Sequence, residues 1–492
     1  MRHALPILAA LLLASPAAAA PADTSVTGFH GGPDRSGLTV VPGLTWTRAA
    51  AARRDTAFDG AVQGHVNAQP LYWHPPGGAH GLVVVATDDD TVYALDSVTG
   101  RPVWQRSLGP VATRSEVACG NINPIGVTGT PVIDPDAGAL YLDAMVDQEG
   151  TAQHLVFGLS LRDGAVLPGW PVNVADSLRA KGLALSPRVQ EQRGALTLLD
   201  GRVFVPYGGY WGDCGAYHGW VVGLDPTHPG VTAAWATRAE KGGIWAPGGI
   251  ASDGRSLVFA TGNTDGARAW GDGEAVFRLG PDLARTEDRD RFFAPADWRD
   301  LDDEDADLGG VGPVVLDLPG GSPTHLVLAL GKDGNAYLLD RDHLGGIGQA
   351  LATLAVANAS ILGSSAAYPA PGGGVLVAFQ GRGTGCTGGN GLVAFKITAG
   401  PKPAMSRAWC AGLDGRGSPV ATTGDSGAEP VVWVAGAEGD DRLHAFRGDT
   451  GAALWASDRL PGLRHFVTPL VADGRVFVAG DGRVYAFEVG GR

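Results

Sequence analysis

Residues 92–108, VYALDSVTGRPVWQRSL, combine a strand, a turn and a second strand. Apolar side chains dominate the first strand, and Thr99 and Gly100 are residues typical of turns. Most of this hairpin returns near the other end of the chain, at residues 443–460, as LHAFRGDTGAALWASDRL. Two similar hairpins so far apart in one chain indicate a repeated structural unit.

The repeated unit occurs eight times along the chain. Each copy is a β-rich apolar segment that ends in Leu or Phe and is followed by turn residues, and these Leu or Phe positions lie 41 to 65 residues apart. That period is typical of propeller blades with four short strands each. The positions are Leu95, Leu159, Leu224, Leu279, Leu339, Phe395, Phe446 and Phe487. We therefore predict an all-β, eight-bladed β-propeller.

A second β-branched segment usually precedes each copy, and a tryptophan often follows it on what should be the outer strand. These tryptophans are expected to cover the gap to the next blade; they are Trp104, Trp170, Trp235, Trp409 and Trp455. The last copy, at residue 484, has no outer strand after it, whereas residues 43–49, GLTWTRA, are similar to the outer strands elsewhere. We expect this N-terminal strand to join the C-terminal blade and close the ring.

The N-terminal residues are typical of a secretory signal peptide. A basic start at Arg2 is followed by an apolar run that is shorter than the ~20 residues of a membrane span, and then by an Ala-x-Ala site. We predict a signal peptide over residues 1–20, an N-terminal segment with the ring-closing strand over 21–68, and the propeller over 69–492. Because no cysteine follows the apolar run, a lipid anchor is not expected, and the mature chain should be periplasmic or secreted.

The charge and the cysteines limit the partners and the compartment. The net charge of −14 disfavours nucleic acid and anionic membranes as partners, and no other segment is apolar enough to span a membrane. An even number of cysteines in an exported chain favours disulfides, and the sequence alone allows three pairings of Cys119, Cys214, Cys386 and Cys410. A monomer is expected, with a small molecule or a protein bound at the central face of the propeller.

The spacing of Ala, Asp, Thr-Gly and Trp in residues 94–104, ALDSVTGRPVW, resembles the repeat of the pyrroloquinoline quinone (PQQ) β-propellers. That family contains calcium-dependent quinoprotein alcohol dehydrogenases, a non-enzymatic outer-membrane assembly lipoprotein and secreted propellers without an assigned role. Residues 242–346 resemble the dehydrogenase branch in the order and spacing of their motifs. The fold alone leaves the function open.

The resemblance implies a set of site residues. Trp245 matches the tryptophan that stacks on the quinone, and Lys332 matches the cation at the quinone oxygens. Asn263 matches a calcium ligand, and Asp307 matches both a calcium ligand and the base that removes the alcohol proton. These residue types suit the chemistry, because calcium prefers oxygen ligands and a carboxylate can accept a hydroxyl proton.

Two departures from the family pattern weaken this assignment. Where the family has a calcium-ligand glutamate, this chain has Cys214 beside Asp213, so only Asp213 could supply an oxygen. Where the family has two adjacent cysteines that cover the quinone, Cys119 is followed by a glycine. The two altered positions suggest a Cys119–Cys214 bond across the pocket, and Cys386 and Cys410, which flank a predicted hairpin, make the second pair.

Three hypotheses follow from the sequence. The first is a non-catalytic binding propeller with a degenerate quinoprotein-type pocket and no cofactor. The second is a dehydrogenase of alcohols or sugars that uses PQQ and calcium, and the third is an outer-membrane protein assembly partner. Convergence of the four matched residues on an open slot would favour the dehydrogenase, whereas a Cys119–Cys214 bond that plugs the slot would favour the binder.

Overall fold

Eight antiparallel sheets of four strands each are arranged around a ring in the computed structural model, which describes residues 25–386 and 391–489. Every blade except the last is built from strands that follow one another in the chain, innermost strand first, although in blade 5 the short strand Gly346–Ile347 of blade 4 intervenes before the outer strand. The strands of blades 1 to 4 are Leu71–Trp73, Leu82–Thr87, Thr91–Asp96 and Pro102–Ser107; Val132–Asp134, Ala139–Asp147, Ala152–Ser160 and Val172–Asn173; Thr197–Leu199, Arg202–Gly209, Trp220–Leu224 and Val231–Ala236; and Ala251–Ser252, Leu257–Thr261, Ala275–Leu279 and Phe292–Ala294.

The remaining four blades repeat the arrangement and complete the predicted number of eight. Their strands are Val314–Asp317, His325–Leu330, Asn335–Asp340 and Ala352–Ala355; Ala366–Pro369, Val375–Gln380, Leu392–Thr398 and Ala404–Ala411; Val420–Thr423, Val431–Ala435, Leu443–Arg447 and Ala453–Ala456; and Leu470–Ala472, Arg475–Gly480, Arg483–Glu488 and, from the N-terminal segment, Arg53–Arg54. The eight-bladed propeller predicted from the repeat is confirmed.

The second and third strands of each blade are the two apolar segments recognised in the sequence. They are buried on both faces because each blade packs against two neighbours, which is why they consist mostly of apolar residues and do not alternate with charged ones. The innermost strands and some of the outer strands have only two to four residues, and some carry polar residues that leave only a weak pattern in the sequence.

A few elements lie outside the regular four-stranded pattern. Three further strands extend blades 3, 4 and 7, and three short α-helices and four 3-10 turns lie in connections. The strands are Gln190–Glu191, Gly346–Ile347 and Leu38–Val40; the helices are Trp46–Ala50, Val174–Arg179 and Trp298–Glu304; the turns are Phe29–Gly31, Arg114–Glu116, Arg289–Arg291 and Leu308–Gly310. No helix within residues 25–386 and 391–489 has both the length and the apolar character that a membrane crossing requires.

Outer-strand tryptophans pack against the turn of the following blade. The indole N–H of Trp104 donates to the Leu161 carbonyl at 2.9 Å, and the ring lies so close to Gly164 that a Cβ there would come within 2.5 Å of it. Gly164 also has a φ of +69°, a conformation that disfavours other residues. The Thr-Gly and Trp of the repeat are therefore two halves of one contact between neighbouring blades.

The ring closes through an N-terminal strand as predicted, but the predicted residues were wrong. Arg53–Arg54 pairs with the last strand, with Arg53 opposite Glu488. Residues 46–50 form a helix instead, because the Thr45 side chain caps it by accepting the Arg48 N–H and alanines favour helix. The Arg447 guanidinium lies over the Trp46 ring on the outer side of blade 7. Its central carbon, Cζ, is 3.6 Å from the centroid of that ring.

The N-terminal segment also binds the innermost strands, since the N–H groups of Ile133, Ser252 and Val315 donate to its carbonyls. Arg35 is only 3% exposed, and its guanidinium donates to the carbonyls of Leu196 and Ile250 at 2.8 and 2.7 Å. Further bonds to Phe29 and Gly32 hold the segment itself. Residues 1–20, the predicted signal peptide, lie outside the described residues.

His30 makes the stability of this segment sensitive to pH. Burial and the nearby Arg35 charge lower the pKa of His30 to about 3. In the unfolded chain the ring takes up a proton below its ordinary pKa, whereas in the folded protein it stays neutral. We therefore expect His30 to reduce the free energy of unfolding by about 1.4 kcal/mol for each pH unit as the pH falls below about 6.5.

Urea denaturation at pH 7, 6 and 5 measures this effect when the protein is compared with the His30→Phe variant. The variant cannot titrate at this position, so its stability should fall less steeply with acid. Equal slopes in the two proteins would contradict a buried, neutral His30.

Candidate functional site

A central pocket of about 1200 Å³ opens at the face where the chain enters the innermost strands. Because the strands of a blade are antiparallel, the turn between its second and third strands lies at the same face as the loop before its innermost strand. The lining residues come from these two kinds of loop: Asn121, Arg193, Trp211, Trp245, Lys332, residues 359–360, Leu362, residues 380–382, Gly391, residues 412–416, Glu438, His465 and Phe466. A cavity of about 60 Å³ shares four of these residues and ends at Phe29.

The four residues matched to the dehydrogenase site converge in this pocket. Trp245 and Asp307 precede the innermost strands of blades 4 and 5, and Asn263 and Lys332 follow the second strands of the same blades. The Lys332 ammonium lies 5.3 Å from the centroid of the Trp245 ring and forms an ion pair with Asp307. The backbone N–H of Asn263 donates to Asp307 Oδ1 at 2.7 Å. Neighbouring blades thus bring together four residues that span 88 positions of sequence, from 245 to 332.

Asp307 is buried and fully engaged. Its side chain is 3% exposed, its Oδ1 accepts the Asn263 N–H, and its Oδ2 contacts the Lys332 ammonium. Burial raises the pKa of Asp307, and Lys332 opposes that rise. Burial also acts to lower the pKa of Lys332, but Asp307 and the exposed Asp305, whose Oδ1 is 3.0 Å from the ammonium, raise it above its ordinary value. Lysine and carboxylate therefore hold each other in the charged form.

A second carboxyl group lies behind this ion pair. Glu274 is completely buried, its Oε2 accepts the Leu308 N–H, and its Oε1 has no hydrogen-bond partner in the described part of the chain. Burial and the nearby Asp307 charge raise the pKa of Glu274 well above its usual range. Both causes favour the protonated, neutral form of this carboxyl over the charged form.

The three candidate calcium ligands do not present a calcium site. Calcium takes six to eight oxygens, but both oxygens of Asp307 are engaged and Asp213 Oδ1 accepts the Tyr217 hydroxyl. Asn263 contacts Asp307 through its backbone N–H. Among residues 25–386 and 391–489, no group of three or more His, Cys, Asp or Glu side chains could hold a metal ion. The donor set does not fit calcium in this arrangement.

Both suggested disulfides form. Cys119 is bonded to Cys214 with a Cα–Cα distance of 5.9 Å, and Cys386 is bonded to Cys410 with a distance of 6.1 Å. The first bond joins the loop before blade 2 to a loop of blade 3 at the pocket rim. That loop also carries Trp211, which lines the pocket and is 68% exposed. The bond braces the rim and does not close the pocket.

Comparisons with known proteins agree with this architecture. The family model described as outer membrane protein assembly factor BamB matches residues 46–123. Quinohemoprotein alcohol dehydrogenase ADHIIG from Pseudomonas putida HK5 is 13% identical, with a TM-score of 0.65 over 95% of this chain and 81% of that chain. Residues 46–123 thus resemble this family, and the whole chain shares the propeller fold of the solved structures. A search of curated proteins gave no significant match.

Two further solved structures share the propeller fold of this chain. Quinohemoprotein alcohol dehydrogenase from Comamonas testosteroni is 15% identical, with a TM-score of 0.64 over 95% of this chain and 81% of that chain. BamB from Moraxella catarrhalis is 15% identical, with a TM-score of 0.50 over 89% of this chain and 97% of that chain. At these identities the likeness establishes the fold and leaves the chemistry of the pocket to its residues.

The sequence did not predict several residues in or near the pocket. Glu274 stands directly before an apolar strand. An ionisable residue at such a position is the one sequence signal that could have identified Glu274. Trp211 lies next to Asp213 and Cys214 but in no recognisable motif. Phe466 has a φ of +67°, unusual for a bulky residue, and this appears only in the structure.

Proposed function

We propose that this PQQ-repeat propeller is an exported binding protein without catalytic activity, whose central pocket takes a small molecule. The observation that carries the proposal is the Lys332–Asp307 ion pair at the pocket wall. A general base needs an oxygen free to accept the substrate proton. In this chain the carboxylate at the position of the family base is only 3% exposed, and its ion pair with Lys332 opposes proton uptake.

The surroundings of the ion pair support binding without oxidation. The calcium donor set is incomplete, and Gly120 after Cys119 excludes the ring of adjacent bonded cysteines that covers the quinone in the family. The pocket itself stays open, and Trp245 and Trp211 present aromatic surface in it beside polar groups. Apolar surface with a few polar groups is typical of small-molecule sites.

Export is supported by the cysteines. All four are paired, and disulfides persist in oxidising compartments such as the periplasm or the extracellular medium. The predicted signal peptide and the division into an N-terminal segment and residues 69–492 complete this part of the proposal.

Oxidation of an alcohol or sugar with PQQ and calcium is the second candidate function. The convergence of Trp245, Asn263, Asp307 and Lys332 at one open pocket favours it, and so does the position of the Cys119–Cys214 bond, which leaves the pocket open. Against it, the ion pair with Lys332 makes Asp307 a weaker base for the alcohol proton, and the calcium donors are incomplete. A role in outer-membrane assembly has the match of residues 46–123 in its favour, but the large exposed apolar side chains of the described residues are scattered over several blades.

The two candidate functions are separated by reconstitution with PQQ. The purified mature protein is incubated with PQQ and calcium, and reduction of an artificial electron acceptor is followed with a panel of alcohols and aldoses. We expect no reduction above the control without substrate, and no effect of calcium on PQQ affinity in calorimetry. Calcium-dependent PQQ binding together with substrate-dependent reduction would establish the dehydrogenase instead.

The binding role is tested by a thermal-shift screen of sugars and organic acids. A compound bound in the pocket should raise the melting temperature of the wild-type protein and have little effect on Trp245→Ala. The matched control is Trp46→Ala, which removes an indole on the outer side of the ring and should keep the shift. A screen in which every shift survives Trp245→Ala would refute binding at this pocket.

A further inference from the structure

Two arginines on the side of the pocket formed by blades 6 and 7 have no part in the ion pair just described. Arg382 and Arg416 both line the pocket and are exposed. Neither guanidinium has a hydrogen bond or ion pair with any residue that the structure describes. Exposed arginines elsewhere in the chain, such as Arg459 with Asp441, often have a carboxylate partner. The two pocket arginines are thus available to a ligand.

Charged groups of both signs line the pocket, and the Arg416 charge also acts on the lining carboxylate Glu438. The other charged lining groups are mostly paired within the protein: Arg193 with Glu191 at 3.0 Å, Lys332 with Asp305 and Asp307, and His465 with Glu438 at 2.6 Å. Asp414 is the single lining carboxylate without a partner among the described residues. Arg382 and Arg416 are therefore lining cations without a hydrogen-bonded partner among the described residues, and an anion can bind to them.

The backbone around both arginines is held in place. The Arg416 N–H donates to the Ala437 carbonyl at 2.9 Å, and the Arg416 carbonyl accepts the Phe466 N–H at 3.0 Å. The Arg382 carbonyl accepts the Asn358 N–H at 2.9 Å. The Cys386–Cys410 bond ties the loop that follows Arg382 to the outer strand of blade 6. Because the backbone is already fixed, a ligand has to order only the two arginine side chains, which reduces the entropy cost of binding.

Aromatic rings lie on the other sides of the same pocket. Trp211 and Trp245 belong to blades 3 and 4, and Phe466, from the loop before blade 8, packs its ring 4.7 Å from His465. Phe466 adopts a left-handed backbone that a bulky residue rarely takes unless its surroundings require it. A ligand between these walls therefore meets apolar rings on one side and cations on the other.

We infer that the ligand of the central pocket is a small carboxylate-bearing molecule with one apolar face, of the chemical class of the sugar acids. Its carboxylate is held by Arg382 and Arg416, and its apolar face packs on Trp245 or Trp211. Guanidinium groups bind carboxylates through paired, charge-assisted hydrogen bonds. This inference rests on the proposed binding function and specifies the ligand of that pocket.

The test compares galacturonate with galactose, which differ only in the carboxylate at C6. Titration calorimetry with the mature protein should give an affinity for galacturonate at least 100-fold higher than that for galactose, and the affinity should fall as salt is added. Arg382→Gln and Arg416→Gln should each weaken galacturonate binding about 10-fold. Arg101→Gln, an exposed arginine in a turn of blade 1, serves as the matched control and should bind as the wild type does.

Each other result overturns the inference. Equal affinity for the two sugars, unchanged binding in the Arg382→Gln and Arg416→Gln variants, or no galacturonate binding at millimolar concentration would all refute an anion site. The proposed function has its own measurement, because a neutral compound whose thermal shift disappears in Trp245→Ala would keep the pocket as a binding site while the anion site is rejected.

Discussion

Lys332→Met is expected to lower the free energy of unfolding by about 3 kcal/mol. The substitution removes the ammonium and leaves the Asp307 carboxylate, 3% exposed, without its charge partner. Breaking a buried ion pair typically costs about 3–5 kcal/mol, since one uncompensated charge stays in the interior. The lower end applies here because Lys332 keeps 17% of its surface exposed. Urea denaturation at neutral pH measures the loss.

The double variant Lys332→Met/Asp307→Asn separates the lost pair from a simple packing defect. The amide of asparagine is neutral, so the double variant should recover a large part of the stability that the single lysine substitution removes. The pH dependence gives a second readout. In Lys332→Met the pKa of Asp307 should rise further, so the stability deficit should shrink as the pH falls and the carboxyl becomes protonated. A deficit that is independent of pH and persists in the double variant would contradict the ion pair.

Arg35→Met is expected to lower the free energy of unfolding by at least about 3 kcal/mol. Its guanidinium donates to four carbonyls, two of which belong to blades 3 and 4, and burial lowers the pKa of Arg35 only to about 10, so the group stays charged near neutral pH. Hydrogen bonds from a charged donor are worth about 1.5–3 kcal/mol each, although such values do not simply add.

The readout specific to Arg35 is the attachment of the N-terminal segment. Limited proteolysis should cleave the variant faster than the wild type within residues 25–40, before the blades unfold. Arg101→Met provides the control, because Arg101 lies on the surface of blade 1. Wild-type stability together with a wild-type cleavage rate would show that Arg35 does not hold the segment.

The sequence predicted the blades well because the physical signal is local. A strand that packs on both faces must be apolar along its whole length, and the Trp and Gly of the blade contact recur in several copies, as Trp104 with Gly164 and Trp409 with Gly451 show. The ring-closing strand was misplaced because it is two residues long, and residues 53–54 are both arginine. Nothing in so short a polar segment distinguishes it from a loop.

The part of the candidate site that two consecutive blades provide was predictable from the sequence. Trp245, Asn263, Asp307 and Lys332 come from blades 4 and 5, so one continuous resemblance contained all four. Arg35 could not be found in this way, because its carbonyl partners lie 161 and 215 residues along the chain. The engagement of Asp307 by Lys332 likewise depends on side-chain positions that motif spacing does not specify.

Closure of the ring by Arg53–Arg54 has a consequence for the order in which the protein can fold. The strand that completes blade 8 is made early, and its partner Glu488 lies 435 residues later. Until the segment around Glu488 has been synthesised, blade 8 cannot form. The blades already formed then make an open arc whose two ends expose unpaired strand edges. Contacts so distant in sequence form slowly. Shortening the chain before residue 483 should therefore trap an open, self-associating arc even though seven blades are intact.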